Sequence, residues 1–197
     1  MKKYIFTLTL LALSAGVFAQ FNQGTKMVGG TVSFSSTTAK EKFDNTTRKY
    51  ATYTSFSVAP QFGYFVADRF AIGAALDFDI DNDKSKTNDR NITYTTIQIA
   101  PFVRYYLPVN VFFEGQFGVG TTKTSGTNAN GSTAEGKENV TSWSVAAGYA
   151  IMINESVAVE PMLGYGSIAY KNPDAANDYK TVHPGIFLQV GFQIYLP

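Results

Sequence analysis

The sequence predicts an all-β fold, an eight-stranded antiparallel up-and-down transmembrane β-barrel, and three observations carry that reading. The first is alternation with period two. Phe56, Val58, Pro60, Phe62 and Tyr64 share one parity, with Ser55, Ser57, Ala59, Gln61 and Gly63 on the other. After a turn at Val66-Ala67-Asp68-Arg69 the pattern resumes, with Phe70, Ile72, Ala74, Leu76, Phe78 and Ile80 against Ala71, Gly73, Ala75, Asp77 and Asp79. Successive side chains of a strand point to opposite faces, so one face is apolar and the other small or polar. The second observation is that long polar connections alternate with tight turns. The third is composition: hydrophobic residues make up 45%, aromatics 15% and charged residues only 16%, against about 25% charged in soluble domains. No later stretch is apolar over the roughly 18 residues a helical span needs. Lipid outside and a polar lumen inside account for all three observations.

The first segment lies outside this fold. Lys2 and Lys3 precede an apolar run from Ile5 to Val17, and Val17-Phe18-Ala19 supplies small residues at the cleavage-determining places. This is the pattern of a secretory signal peptide. Residues 1–19 are expected to be removed before Gln20, leaving 20–197 as one barrel domain. The chain has no cysteine, so a lipoprotein anchor, disulfides and thiolate metal sites are excluded. A net charge of +1 gives no sign of nucleic-acid binding.

The predicted strands run Thr25–Thr38, Ala51–Val66, Phe70–Ile80, Ile92–Leu107, Asn110–Thr122, Asn139–Ile153, Ser156–Tyr170 and Thr181–Leu196. Tight turns fall at Ala67-Asp68-Arg69, Pro108-Val109-Asn110 and Asn154-Glu155-Ser156. Long loops cover Ala39–Tyr50, Asp81–Asn91, Lys123–Glu138 and Lys171–Lys180. Both termini therefore lie on the short-turn, periplasmic side. Closure of an even number of strands removes the free edges that an open sheet would expose to lipid. Related hairpins recur every 41 to 46 residues or so, yet each unit holds two strands, whereas a propeller blade needs four. Outward positions of the strand cores carry no Asp, Glu, Lys or Arg, and Tyr64, Phe70, Tyr105, Phe113 and Tyr149 gather near the short turns, where an interfacial girdle belongs. Pro60, Pro101, Pro161 and Pro184 fall inside predicted strands. Proline cannot donate to a ladder, so these positions read as bulges that change the local facing.

The strings Pro60-Gln61-Phe62-Gly63-Tyr64-Phe65-Val66-Ala67-Asp68-Arg69-Phe70-Ala71-Ile72-Gly73 and Pro101-Phe102-Val103-Arg104-Tyr105-Tyr106 resemble those of the small outer-membrane β-barrel proteins common in Bacteroidetes-type Gram-negative bacteria. These are similar in architecture to the OmpX and OmpA barrels. The resemblance covers essentially the whole mature chain. It implies an outer-membrane address, outer-membrane lipid and lipopolysaccharide as surroundings, and insertion by the outer-membrane assembly machinery through the last strand. It supplies no catalytic motif. Such barrels end on an aromatic residue that the machinery reads, whereas this chain ends Tyr195-Leu196-Pro197, leaving Phe192 or Tyr195 as substitutes.

Few residues suggest chemistry. Arg104 and Glu114 are about equally far from the Pro108-Val109-Asn110 turn and share inward parity, and Glu160 is the equivalent of Glu114 two strands on. A charge inside a narrow barrel needs a partner, so the three read as a lumen salt-bridge network, a structural plug in preference to a gate. Small inward residues, among them Gly63, Gly73, Gly118, Gly148 and Gly164, serve tight coiling or leave cavities beside Phe112, Met162 and Phe187. Asp77, Asp79, Asp81 and Asp83 alternate up one strand as a hydrated acidic rim and a possible cation site. A calcium loop would want glycine sixth and glutamate twelfth; here those places hold Asn82 and Asn88. His183, the single histidine, has Ser167 and Asp174 as conceivable triad partners with no spacing to support them. Lys40, Lys42, Arg48 and Lys49 in the first loop are a basic set suited to lipopolysaccharide phosphates. No cofactor or metal is called for. The expected role is a non-enzymatic membrane scaffold with surface-interacting loops. A narrow, porin-like pore is the alternative, and a lipid-modifying enzyme a more distant one.

Overall fold

A computed structural model describes residues 21–43, 46–85, 90–128, 130–173 and 180–197, with the side chains of 35–43 and 46–50 outside the description. The expected signal peptide, Asp44, Asn88 and Asp174 therefore fall outside the described residues, as do the side chains of the basic set in the first hairpin.

Eight strands form a closed antiparallel barrel: β1 (Lys26–Phe43), β2 (Thr46–Ala67), β3 (Phe70–Ser85), β4 (Asn91–Tyr106), β5 (Val111–Thr127), β6 (Thr133–Tyr149, continued as Ile151–Met152), β7 (Val157–Lys171) and β8 (Thr181–Leu196). Each pairs with its sequence neighbour, and β8 pairs with β1 to close the ring. The outward faces carry the apolar residues that the alternation requires. Phe62, Ile72, Ile99, Val103, Phe117, Val145 and Leu163 are all exposed, and Tyr64, Tyr105, Phe113 and Tyr149 ring the short-turn end.

Two features differ from the sequence expectation. Among the described residues, three of the long connections are largely strand: β1 and β2 stay paired out to Phe43–Thr46, β3 and β4 to Lys84–Asn91, and β5 and β6 to Thr127–Thr133. Polar Thr- and Ser-rich sequence reads as loop, but two such segments joined by a short turn can pair beyond the membrane, where no apolar face is needed. The prolines are not bulges. Gly30–Pro60, Ala74–Pro101, Pro161–Val190 and Ser167–Pro184 sit in unbroken registers. A proline forfeits bonds to one neighbour only: β2–β3 pairing lapses between Val58–Phe78 and Gln61–Ala75, β4–β5 between Ile99–Val119 and Phe102–Gln116, each resuming in the same register. The β6 ladder lapses at Tyr149 and Ala150, opposite Pro161 and Glu160, and resumes at Ile151–Val159 in the same register, with the same cause. Real register shifts occur instead at Ala39/Lys40 and at Phe65/Ala67, beside the first short turn.

The short turns are set by local chemistry. Arg69 and Asn110 adopt φ of 64° and 62°. Asparagine tolerates this left-handed region well, and Arg69 is held there by Arg69 N donating to Phe21 O (2.6 Å) and Tyr106 N donating to Arg69 O (2.8 Å). In the third turn the Asn154 side chain accepts from the amides of Ser156 (2.8 Å) and Val157 (2.9 Å), an Asx turn that reverses the chain.

Candidate functional site: a charged plug beneath an acidic cavity

Inward parity gathers the lumen side chains into two tiers. The lower tier, at the short-turn end, is a plug. Arg104 and Glu114 are direct partners across the β4–β5 ladder, so their side chains emerge side by side. Arg104 Nε donates to Glu114 Oε2 at 2.7 Å, and Nη1 donates to Glu160 Oε2 at 2.6 Å and to the Tyr106 hydroxyl at 2.9 Å. Nη2 approaches Glu114 Oε2 at 2.6 Å as an ion pair. The Arg104 guanidinium also lies 4.4 Å from the centre of the Phe112 ring, a cation–π contact. Tyr195 donates to Glu160 Oε1, and its hydroxyl lies 2.8 Å from that of Tyr106. Arg104 and Glu160 are wholly buried. Desolvating a charge is costly, and this geometry offsets the cost by giving nearly every charged atom a partner. The structure thus brings Arg104, Glu114 and Glu160 together.

Aromatic rings seal the plug from below. Phe21 stacks on Tyr106 with centroids 4.0 Å apart and meets Tyr195 edge-on at 5.2 Å. Phe65 and Phe112 complete the cluster against Tyr106. The segment before β1 is tied in place by Gly24 N donating to Phe65 O (2.9 Å) and Gln23 N donating to Asp68 Oδ1 (2.9 Å). Glycines make room for the rings. A Cβ on Gly148 would lie 2.3 Å from Phe112 Cζ, one on Gly73 2.4 Å from Phe102 Cζ, and one on Gly164 2.2 Å from Phe187 Cζ. So the rings fill the space over these glycines, which are their sockets, and a cavity remains beside Met162 and Phe187.

Phe21, Tyr106 and Tyr195 escaped sequence reasoning as site residues. The inward parity of Tyr106 with Arg104 was a usable signal. Phe21 carried none, since it precedes the first alternating segment. Tyr195, considered above as a terminal aromatic for the assembly machinery, turns inward with 2% exposure, whereas Phe192 faces outward at 56%.

Above the plug lies a cavity of about 390 Å³. Its wall on the β2–β6 side includes Gln61, Asp77, Asp79, Gln98 and Ser142, while Met162 and Phe187 line the β7–β8 side. Asp81 lines its upper part, and Asp83 is set apart by an ion pair with Arg90 at 3.1 Å. Of the four carboxylates, three share the cavity and the fourth sits at the hairpin. No cluster with metal-holding geometry is found among the described residues. His183 packs edge-on against Tyr170 at 5.8 Å and lies opposite Ile168, while Ser167 pairs with Pro184. Among the described residues no hydrogen bond joins His183 to Ser167.

A closed antiparallel barrel with an apolar belt, a polar lumen and short turns at the end that holds both described termini defines an integral outer-membrane-type β-barrel. The chain belongs to the family described as outer membrane protein beta-barrel domain, whose model matches residues 5–196. Among solved structures it is similar to the outer membrane protein OprG from Pseudomonas aeruginosa, at 13% identity and a TM-score of 0.45, over 89% of this chain and 97% of that one. It is also similar to Neisserial surface protein A, at 12% identity and a TM-score of 0.45, over 87% and 97%. The Pseudomonas putida toluene transporter TodX matches at 9% identity and a TM-score of 0.29, over 94% and 71%. No curated protein matches the chain.

Proposed function

We propose that the protein is a non-enzymatic outer-membrane scaffold, sealed at its periplasmic end, that holds extended hairpins above the membrane surface. The observation that carries this reading is the plug. Eight strands leave an interior only wide enough for side chains, and here Arg104, Glu160, Tyr106, Phe112, Tyr195 and Phe21 fill it at one level, each at most 5% exposed. A permeant ion would have to displace a buried ion pair and a stacked aromatic cluster together. The partners that suit such a scaffold are outer-membrane lipid, lipopolysaccharide phosphates at the basic first hairpin, and the assembly machinery through β8, with Phe192 as its outward aromatic. Export through a cleaved signal peptide over residues 1–19 completes the reading.

The test is planar-bilayer recording on the refolded barrel. Wild-type protein is expected to insert silently, and a variant lacking the plug charges (Arg104→Ala with Glu160→Ala) to pass small, noisy currents. Discrete, reproducible openings in the wild type would replace the scaffold with a gated pore.

A further inference from the structure

The barrel is closed by its least complete seam. Among the described residues the β1–β8 ladder spans Lys26–Leu196 to Val32–Val190 and stops. Both strands continue: β1 keeps pairing with β2 beyond Ser33, and β8 with β7 as far as Tyr170–Thr181. The equivalent β2–β3 and β4–β5 ladders run on to the outer hairpins. Exposure confirms the gap independently. The three most exposed large apolar side chains among the described residues are Ile186 (77%), Leu188 (73%) and Phe34 (70%). All three flank this seam, where a side chain lacks a neighbour on one side. Outward alternation of apolar residues continues along β8 through Leu188 and Ile186, so the opening lies within the lipid-facing belt. In hydrocarbon, backbone groups without ladder partners have no water to satisfy them, so a seam of this kind must be filled or wetted from the lumen.

The cavity above the plug reaches the same seam, because Thr31 of β1 and Gly185, Phe187 and Gln189 of β8 help line it. Its two sides differ. The seam side offers Phe187 and Met162. The adjoining wall on β2 and β3 offers Asp77 and Asp79, which no basic side chain among the described residues pairs, Asp79 accepting only from Ser57, and Gln61, 8% exposed with its Nε2 unpartnered. Apolar edges leading to carboxylates that no basic side chain neutralises select for a molecule with a hydrocarbon chain and a cationic head.

We propose that the β1–β8 seam is a lateral portal through which a single-chain ammonium amphiphile enters the lumen cavity from the membrane, its chain lying between Phe34 and Leu188 and its head at Asp77 and Asp79. The portal is compatible with a sealed periplasmic end and goes beyond the scaffold role, since the ligand enters and leaves on the membrane side.

The test uses the refolded full barrel in zwitterionic nanodiscs, with dodecyltrimethylammonium as probe and empty nanodiscs as the partition control. Extending the Val32–Val190 register by two residues sets Phe34 opposite Leu188, and the chain has no native cysteine, so a Phe34→Cys/Leu188→Cys pair can staple the seam. Saturable binding is expected in the reduced barrel, weakened at least about tenfold on oxidation and restored by reduction. Asp77→Asn with Asp79→Asn should weaken it by a similar factor, again about tenfold, while the heat-dependent gel shift persists. Dodecyl sulfate should not compete. Amides of Phe34 and Leu188, which point into the seam, should exchange fast without probe and slow with it. Binding unaffected by the staple, equal binding of dodecyl sulfate, absence of saturable binding, protected seam amides in the free barrel, or disulfide-linked dimers of a Phe34→Cys single variant (a second copy covering the seam) would each overturn the portal.

Discussion

Replacing Arg104 by alanine leaves Glu160 wholly buried with its strongest partner gone. The structure sets the scale. Arg104 makes charge-assisted contacts of 2.6 Å to each of two carboxylates, a 2.9 Å bond to Tyr106 and a 4.4 Å approach to the Phe112 ring. Breaking a buried ion pair from one side costs about 3–5 kcal/mol, because the remaining charge stays desolvated. The two carboxylates are not equivalent. Glu160 also accepts from Tyr195 and is fully buried, whereas the Glu114 side chain keeps 9% exposure. Glu160→Ala is therefore expected to destabilise more than Glu114→Ala, by about 1–2 kcal/mol, the cost of stranding buried hydroxyls without an acceptor. The assay is urea unfolding of the refolded barrel in lipid, followed through Trp143, the only tryptophan and partly exposed on the outer face. Arg104→Ala within about 0.5 kcal/mol of wild type, the range of an ordinary surface substitution, or Glu114→Ala costlier than Glu160→Ala, would refute the reasoning.

Other outcomes follow from the same geometry. Phe21→Ala should cost about 3–5 kcal/mol, as for other buried Phe truncations, and loosen the Arg69 turn, read as faster amide exchange at Arg69. Gly148→Ala should cost about 1–3 kcal/mol through overpacking against Phe112, and combining it with Phe112→Leu should recover part of the loss in the same unfolding assay. Asn110→Gly should be neutral or slightly stabilising and Asn110→Val should cost about 1–3 kcal/mol, since φ at this residue is 62° and branched residues strain there. Ile99→Arg, placing a charge on the middle of the lipid face, should cost about 2–4 kcal/mol, visible as a lower urea midpoint.

The eight strands were legible because alternation, girdle aromatics and turn residues agree locally, and membrane burial enforces their period. Arg104 and Glu114 could be paired on paper because both count back to one tight turn. Glu160 followed from the hairpin repeat. What alternation could not give was the third dimension of the lumen. Tyr106, Tyr195 and Phe21 meet only when the ring closes, and the last precedes any periodic segment. Glycine reads as flexibility in sequence, while at Gly148 and Gly164 its use is the volume left for a ring. Proline reads as a ladder breaker, yet at Pro60 and Pro101 the loss falls on one neighbour while the other ladder holds the register. The length of the outer hairpins was hidden because polar strands beyond the membrane carry no apolar alternation. The short β1–β8 ladder has no sequence signature, since the edge residues Phe34, Ile186 and Leu188 alternate like any others.

The central claim, a lumen open above and sealed below, is tested most directly by sided cysteine labelling in oriented proteoliposomes. Ser144→Cys, in the wall of the upper cavity, would carry the only thiol of the chain, with Val109→Cys in a short turn as the opposite-side control. A membrane-impermeant thiol reagent is expected to modify Cys at position 144 from the hairpin side alone and at position 109 from the turn side alone. Equal modification of position 144 from both sides would contradict the seal.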